Sequence, residues 1–411
     1  MTTVQQGLNG LDAENFVNSV FASAIAEKAS DVHFDRRKDE MVIRFRVDGT
    51  LSERYAIQQP DIDQIVNNVK VIASLDITTH EVPQDGSVEL FEVVDDVPSE
   101  VETPGYGNNE GGQTQRVVDV RVSVFPSIYG EVIVARILNR QSALKSLHDL
   151  GLNDGGLAVV ERIISRDYGM VLIAGPVGSG KTTTLYSFMQ EMKSEEKNIM
   201  TIEDPVEFHL GWLRQSELRP HHGFDFESAL GSILRQDPDV IMIGELRNKA
   251  SAERAISLSL IGRIVGATIH ANSTIGTIAR LADMGIERNM VAYALNGVIA
   301  QRLVREVCPS CKESYVPAPE LMEYFKVSHE THQFVRGAGC AECNQSGYRG
   351  RVGIFEVLEF DNTIRSGIVA GESMSRLEEI ARKAGMKTLR DNALEKVFEG
   401  VTTLEEVGRI V

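Results

Sequence analysis

Residues 175–183, Gly175, Pro176, Val177, Gly178, Ser179, Gly180, Lys181, Thr182 and Thr183, contain the pattern G-x-x-x-x-G-K-[ST] in full. The chemistry this offers is phosphate binding. Gly178 and Gly180 let the backbone turn its N–H groups toward one centre, and a helix opening at Lys181 adds unpaired N–H groups and the positive end of its dipole. Lys181 then reaches the β- and γ-phosphates of ATP, and the Thr182 hydroxyl serves Mg2+. The apolar run "MVLIA" before the glycines reads as a strand and the residues after Lys181 as a helix. That context distinguishes the motif from a chance glycine-rich turn.

Three carboxylates and a histidine stand where they could act on such a ligand. "TIEDPVEF" puts Glu203 and Asp204 at the end of a predicted strand, "DPDVIMIGE" puts Glu245 at the end of another, and "RIVGATIH" ends on His270. In an open parallel sheet the ligand sits beyond the carboxyl ends of the strands, so all four residues face the phosphate loop if their strands neighbour its strand. Phosphoryl transfer needs a cation bridging the phosphates and a group that orients or deprotonates water, and carboxylates suit both tasks. Each acid taken singly also reads as a helix cap or a salt-bridge partner. His270 is placed to report the phosphate state to the following "ANST", while His221 and His222, in "RPHHGFDF", read as surface residues.

The third constellation is cysteine. Cys308, Cys311, Cys340 and Cys343 are the four cysteines of the 411-residue chain, spaced C-x2-C-x28-C-x2-C. Two tight pairs suit a closed, structural tetrathiolate Zn2+ site, and a redox dithiol is the rival reading. Reducing surroundings favour metal over disulfide.

The elements that must position these groups fall into two regions. Residues 12–29 show helical apolar spacing, and "SDVHFDRRKDEMVIRFRVDG" alternates as a hairpin. A helix follows around residues 61–75, and two β-rich runs flank a Pro-Ser-Ile-Tyr-Gly turn within residues 117–138, giving a small α+β domain. Residues 86–115 carry seven acidic side chains and no Lys or Arg, which predicts a solvated, flexible loop; a docking loop for a basic partner is the sharper alternative. From residue 157 short apolar strands alternate with helices, the pattern of a parallel sheet covered on both faces.

Composition bounds the function. Hydrophobic residues make up 42% and charged residues 25%, ordinary for a globular protein. The absence of an 18-residue apolar run or a leader-like start predicts no membrane span and a cytoplasmic location. The formal net charge of -17 speaks against nucleic acid as the partner.

The ordered set "SDVHFD", "IRFRVDG", "PQDGS", "DVRVSVFPSIYGE", "GPVGSGKTTTLY", "TIEDPVEF", "ILRQDPDVIMIGELR", "GATIHANS", "CPSC…CAEC" and "GRVGIFEVLE" resembles the ATPases of type II secretion and type IV pilus assembly, from about residue 29 to 411. The resemblance implies a RecA-like P-loop ATPase domain after a smaller PAS-like α+β domain, with a tetracysteine zinc subdomain and a helical C-terminus. On that basis the expected divisions are a short helix at 1–28, the α+β domain at 29–140, a linker at 141–155, the ATPase core at 156–305, the cysteine subdomain at 306–350 and a mostly helical region at 351–411. It further implies that Glu203 and Asp204 belong to the Asp box, that Glu245 is the Walker B glutamate polarising the attacking water, and that His270 belongs to the His box. Thr182, Glu203 and Asp204 would serve Mg2+. Arg121 and Arg136 match arginines that close on the nucleotide phosphates, and Arg280 matches a further one.

A homo-hexamer acting on an inner-membrane platform protein is implied as well, with the chain at the membrane only through partners. The tetracysteine insertion favours an assembly motor over a retraction motor, and intact Lys181, Thr182 and Glu245 count against a non-catalytic nucleotide-gated scaffold. Departures from the family pattern are "IGRIV", with Arg263 in a histidine's place, and "HAN" for "HTN". Only about 29 residues precede "SDVHFD", where larger members carry a further domain that docks on the membrane assembly.

Overall fold

The computed structural model describes residues 5–6, 12–93, 106–108, 114–138 and 145–411, in two compact units, Met1–Ser142 and Ala143–Val411.

The first unit is one sheet and two helices. Its elements are β1 (Gln5–Gln6), α1 (Ala13–Ala26), β2 (Asp31–Arg36), β3 (Glu40–Val47), β4 (Thr50–Gln58), α2 (Asp61–Ile72), β5 (Gln84–Val93), β6 (Tyr106–Asn108), β7 (Thr114–Ser127) and β8 (Gly130–Leu138). The strand order is β1-β4-β3-β2-β8-β7-β5, with β6 also on β7. Alternation decides the faces: Val32 and Phe34 of β2 go into the core, and Asp31, His33 and Asp35 fall on the other side. α1 starts at Asp12, whose carboxylate accepts from the Asn15 N–H at 2.8 Å, and buries Phe16, Val17, Val20, Phe21 and Ala24 in the same core as the strands. It therefore belongs to this unit's core.

The acidic segment also differs from its expected loop. Residues 84–93 form a strand paired with β7 from Gln84↔Val124 to Val93↔Gln115, and β6 pairs with β7 too. The alternation of acidic and apolar residues in "GSVELFEV" suits an exposed antiparallel strand, a pattern outweighed in sequence by the acid content. Residues 94–105 and 109–113 lie outside the described residues.

The second unit is a doubly covered, mostly parallel sheet. Its elements are α3 (Asp154–Ile164), β9 (Gly169–Ala174), α4 (Lys181–Glu191), β10 (Ile199–Glu203), β11 (Arg214–Glu217), α5 (Phe226–Ile233), β12 (Val240–Ile243), α6 (Lys249–Leu260), β13 (Ile264–Ile269), α7 (Thr274–Asp283), α8 (Arg288–Ala294) and β14 (Leu295–Val307). There follow β15 (Lys312–Tyr315), α9 (Pro319–Phe325), β16 (Phe334–Gly337), β17 (Tyr348–Glu359), α10 (Asn362–Ala370), α11 (Met374–Lys383), α12 (Leu389–Phe398) and α13 (Leu404–Ile410). The order β11-β10-β12-β13-β9-β14-β17 is parallel except for β17, which runs antiparallel to β14. Val171 and Ile173 of β9 face α3 and α4, while Met170, Leu172 and Ala174 face α5–α8 and the C-terminal helices. Gly266 of β13 has a packing reason: a Cβ there would stand 2.8 Å from Leu185 of α4.

The cysteine-bearing segment is an insert at the tip of β14 and β17, two long strands of the main sheet that pair as far as Val307↔Tyr348, and the helices α10–α13 follow as the C-terminal region was expected to be. Phe325 and Phe334 from the insert are buried in the same core as α12 and α13.

Candidate active site and cysteine cluster

β9 delivers the phosphate loop and α4 receives it. Gly178 and Gly180 have φ of +77° and +86°, the left-handed region that side chains disfavour, so two of the motif's glycines are required by the turn itself. The Lys181 ammonium donates to the backbone oxygens of Gly175 and Pro176, both at 3.0 Å. Burial is the main force holding it below the usual lysine range; Arg302 adds to that and Glu245 opposes it. The Thr182 hydroxyl makes no hydrogen bond among the described residues, so the first turn of α4 presents an uncommitted oxygen suited to Mg2+.

The strand order sets which predicted residues come together. β13 neighbours β9, with β12 and then β10 beyond it. His270, just past β13, turns Nδ1 toward the Gly175 oxygen at 3.1 Å and Nε2 toward Glu245 Oε1 at 2.7 Å. Glu245 Oε2 accepts from Arg247 Nε at 2.9 Å, and Arg247 Nη1 donates to Asp204 at 2.7 Å. One chain of contacts therefore runs from the phosphate loop through His270, Glu245 and Arg247 to Asp204. The two carboxylates raise the Arg247 guanidinium still further, the Glu245 contact most. Glu245 is three-quarters buried and Asp204 nearly half exposed, so the acid nearer the loop is the less hydrated.

Glu203 differs from its expected place beside a metal. Its side chain is 2% exposed and is held inside the protein by the hydroxyls of Tyr186 and Thr201 and by Gln215 Nε2 at 3.2 Å. Burial and the adjoining Glu203 carboxylate push the Tyr186 hydroxyl well above the ordinary tyrosine range, so it stays a donor. Glu203 thus ties α4 to β10 beneath the site.

The arginines lie in two places. Arg121 and Arg136 are register partners on β7 and β8, and Arg136 is in turn opposite Asp31, which is opposite Arg46. Asp31 accepts from Arg136 Nε at 3.0 Å and lies 3.6 Å from Arg46, so one acid stands in a row of arginines on the face away from that unit's core. Arg280 is exposed on α7 and its side chain has no ion pair among the described residues.

The four cysteine sulfurs lie within 4.8 Å of one another. Cys308–Cys340, Cys311–Cys343 and Cys340–Cys343 are 3.9, 3.8 and 3.7 Å apart. Four thiolates about 2.3 Å from a tetrahedral Zn2+ have edges of about 3.8 Å, so the donor set fits that ion. The close crossing of the turns needs glycine: a Cβ on Gly337 would fall 2.0 Å from the Gly347 oxygen.

The sequence matches the family described as Type II/IV secretion system protein over residues 10–102 and 108–409. The chain belongs to this family of type II secretion and type IV pilus assembly ATPases. It is 42% identical to a type II secretion system protein E of Dickeya dadantii, over 96% of this chain and 74% of that protein. It is 40% identical to the type II secretion system ATPase E of Vibrio cholerae, with the same coverage of each. The type IV pilus assembly ATPase PilB of Thermus thermophilus is 39% identical over 96% of this chain but 42% of its own length. The Legionella pneumophila ATPase DotB shares the fold with a TM-score of 0.68 at 19% identity, covering 97% of this chain and 95% of its own. The ADP-bound pilus retraction motor PilT shares it with a TM-score of 0.61 at 22% identity, covering 96% of each chain. Among the described residues no helix is long and apolar enough to cross a membrane.

Arg247, Tyr186, Gln301 and Arg302 also stand at this ATPase's site and are not among the residues the sequence singles out. Arg247 had a local signal, two positions after Glu245 in "GELR". Tyr186 had no local signal, since five residues from Lys181 puts it on a different helix face. Gln301 and Arg302 had none, because nothing local in the sequence shows that β14 neighbours β9.

Proposed function

We propose that this ATPase is a motor that hydrolyses ATP at the β9–α4 loop to drive pilin or pseudopilin assembly in a type IV pilus or type II secretion system. It works as a homo-hexamer on an inner-membrane platform protein, peripheral to that membrane through its partners, in the cytoplasm. The observation that carries the catalytic part is Glu245, fixed between His270 and Arg247 at the carboxyl edge of the sheet and linked through His270 to Gly175, whose oxygen holds the Lys181 ammonium. A carboxylate held there can take a proton from attacking water. Thr182 and Asp204 serve Mg2+, and Glu203 acts from behind as the brace between α4 and β10. Arg121, Arg136 and Arg280 supply positive charge as the ring closes on its nucleotides. Relatives named for secretion and for pilus assembly support the direction, as does the cysteine cluster.

The test is ATP turnover by the full chain with single substitutions. Lys181→Ala loses turnover, and Glu245→Gln keeps ATP binding but slows hydrolysis about 10²–10⁴-fold, the loss typical of a general base. Wild-type turnover by either variant would remove the site. In cells, Glu245→Gln blocks appearance of filaments or secreted cargo; filaments that form and fail to withdraw would assign retraction instead.

A further inference from the structure

We propose that Arg302 is a phosphate-contacting residue of the nucleotide site, a second cation placed across Gly175 from Lys181. The proposal rests on the nucleotide-site reading above and adds a ligand to it.

Placement comes first. β14 lies directly beside β9 with Ala300 opposite Ala174, so Gln301 and Arg302 emerge at the end of the sheet where the phosphate loop begins. Gln301 turns toward α4, where its Oε1 accepts from the buried Thr184 hydroxyl at 2.7 Å. Its backbone oxygen stands 2.7 Å from where a Cβ on Gly175 would be. Arg302 Nη1 donates to that same oxygen at 3.0 Å. Nη2 donates to the backbone and side-chain oxygens of Asn272 at 3.1 and 3.2 Å, two residues after His270. The guanidinium is therefore fixed between the first residue of the phosphate loop and the His270 loop.

Charge comes second. Lys181 and Arg302 are both partly buried, and among the described residues neither has a carboxylate within ion-pair distance; each is held by neutral oxygens alone. Of the acids nearby, Glu245 is engaged by His270 and Arg247 and Asp204 by Arg247, while Glu207 adds a weaker pull on Lys181 from outside ion-pair distance. Glu356, whose charge Arg302 feels, is buried and accepts from the Thr274 N–H and hydroxyl and the Leu389 N–H. Burial lowers the Arg302 guanidinium below the ordinary arginine range. Two partly buried cations held directly by neutral oxygens alone, on either side of one glycine, make an anion site, and the planar fork of arginine matches phosphate oxygens.

The experiment is equilibrium binding of adenosine, ADP and ATP to the full chain, comparing wild type with Arg302→Gln, Arg302→Lys and Lys181→Ala. Arg302→Gln weakens ADP and ATP by about 10–100-fold, the worth of a charge-assisted contact, and leaves adenosine within about twofold. Arg302→Lys keeps the charge, loses the fork and recovers part of the affinity; it also carries the test if the glutamine variant does not fold. Wild-type ATP affinity in the folded Arg302 variants, with Lys181→Ala impaired, overturns the proposal and leaves the site standing. Equal weakening of adenosine and ATP also overturns it, making Arg302 a scaffold of the loop. Wild-type ATP affinity in Lys181→Ala would instead overturn the site.

Discussion

Replacing Cys308 with serine should release one zinc ion per chain and loosen the insert without unfolding the sheet. The sulfur separations of 3.7–3.9 Å match the edges of a tetrathiolate tetrahedron of about 3.8 Å. Cys343 is also prepared as a thiolate: burial pushes its thiol up, but N–H groups from Cys340 at 3.2 Å and Gly347 at 3.3 Å, with help from Cys340 and Cys311, bring it down to about 6. Structural zinc is worth about 10–16 kcal/mol to small metal-dependent folds. Here the global loss is smaller, because Phe325 and Phe334 remain buried against α12 and α13 and contribute about 2–3 kcal/mol each. The expected pattern is a small fall in the unfolding midpoint with a large rise in protease cleavage within residues 308–347. Metal analysis of the reduced chain should give one zinc, and X-ray absorption four sulfurs at about 2.3 Å. A zinc-free reduced chain, or nitrogen and oxygen in the metal shell, would refute the reasoning.

Gly180→Ala must hold an L side chain at φ +86° and push its Cβ to 2.8 Å from Gln301 Nε2, which strains the Thr184–Gln301 hydrogen bond. A loss of about 2 kcal/mol is expected in chemical denaturation, with weaker ATP binding; an unchanged midpoint would contradict the requirement for glycine. Glu406 is buried and accepts from Arg305 and Arg409, so Glu406→Gln should cost about 3 kcal/mol at neutral pH. Burial pushes its carboxyl up, but those arginines hold it below the ordinary glutamate range. A depressed carboxyl stabilises above its unfolded-state value and loses that contribution as pH falls through the lower folded-state one. Wild type and Glu406→Gln should therefore converge in stability on acidification, and a pH-independent gap would show that the charge is not the source.

What the sequence made legible was the chemistry carried by contiguous motifs. The phosphate loop needs a strand, two glycines and a helix in a row, and all are local. Glu245 and His270 were also legible, since each ends a short apolar strand whose partners run parallel. Glu203 misled because a strand-end position does not reveal which way the side chain turns, and only packing puts its carboxylate against Tyr186. The same limit hid α1's place in the first core and the strand at 84–93, where acidic side chains resembled a solvated loop. Arg302 and Gln301 were invisible because their role depends on β14 lying next to β9, more than 120 residues earlier in the chain.

That adjacency also explains where the cysteines sit. β14 touches β9 at Ala300 and Ala174, reaches the phosphate loop with Gln301 and Arg302, binds α13 through Arg305 and ends at Val307, just before Cys308. Arg302 and Cys308 are six residues apart on this strand and its extension, about 20 Å at strand rise. Among the described residues the strand's far end pairs with β17 alone, and the insert interrupts the two strands there. A cross-link between a cysteine pair following β14 and a pair preceding β17 closes that gap and holds both strands in register. A metal does so without the oxidation a disulfide requires. Four cysteines at one strand tip thus have a sufficient physical role in bracing the strand that buttresses the phosphate loop.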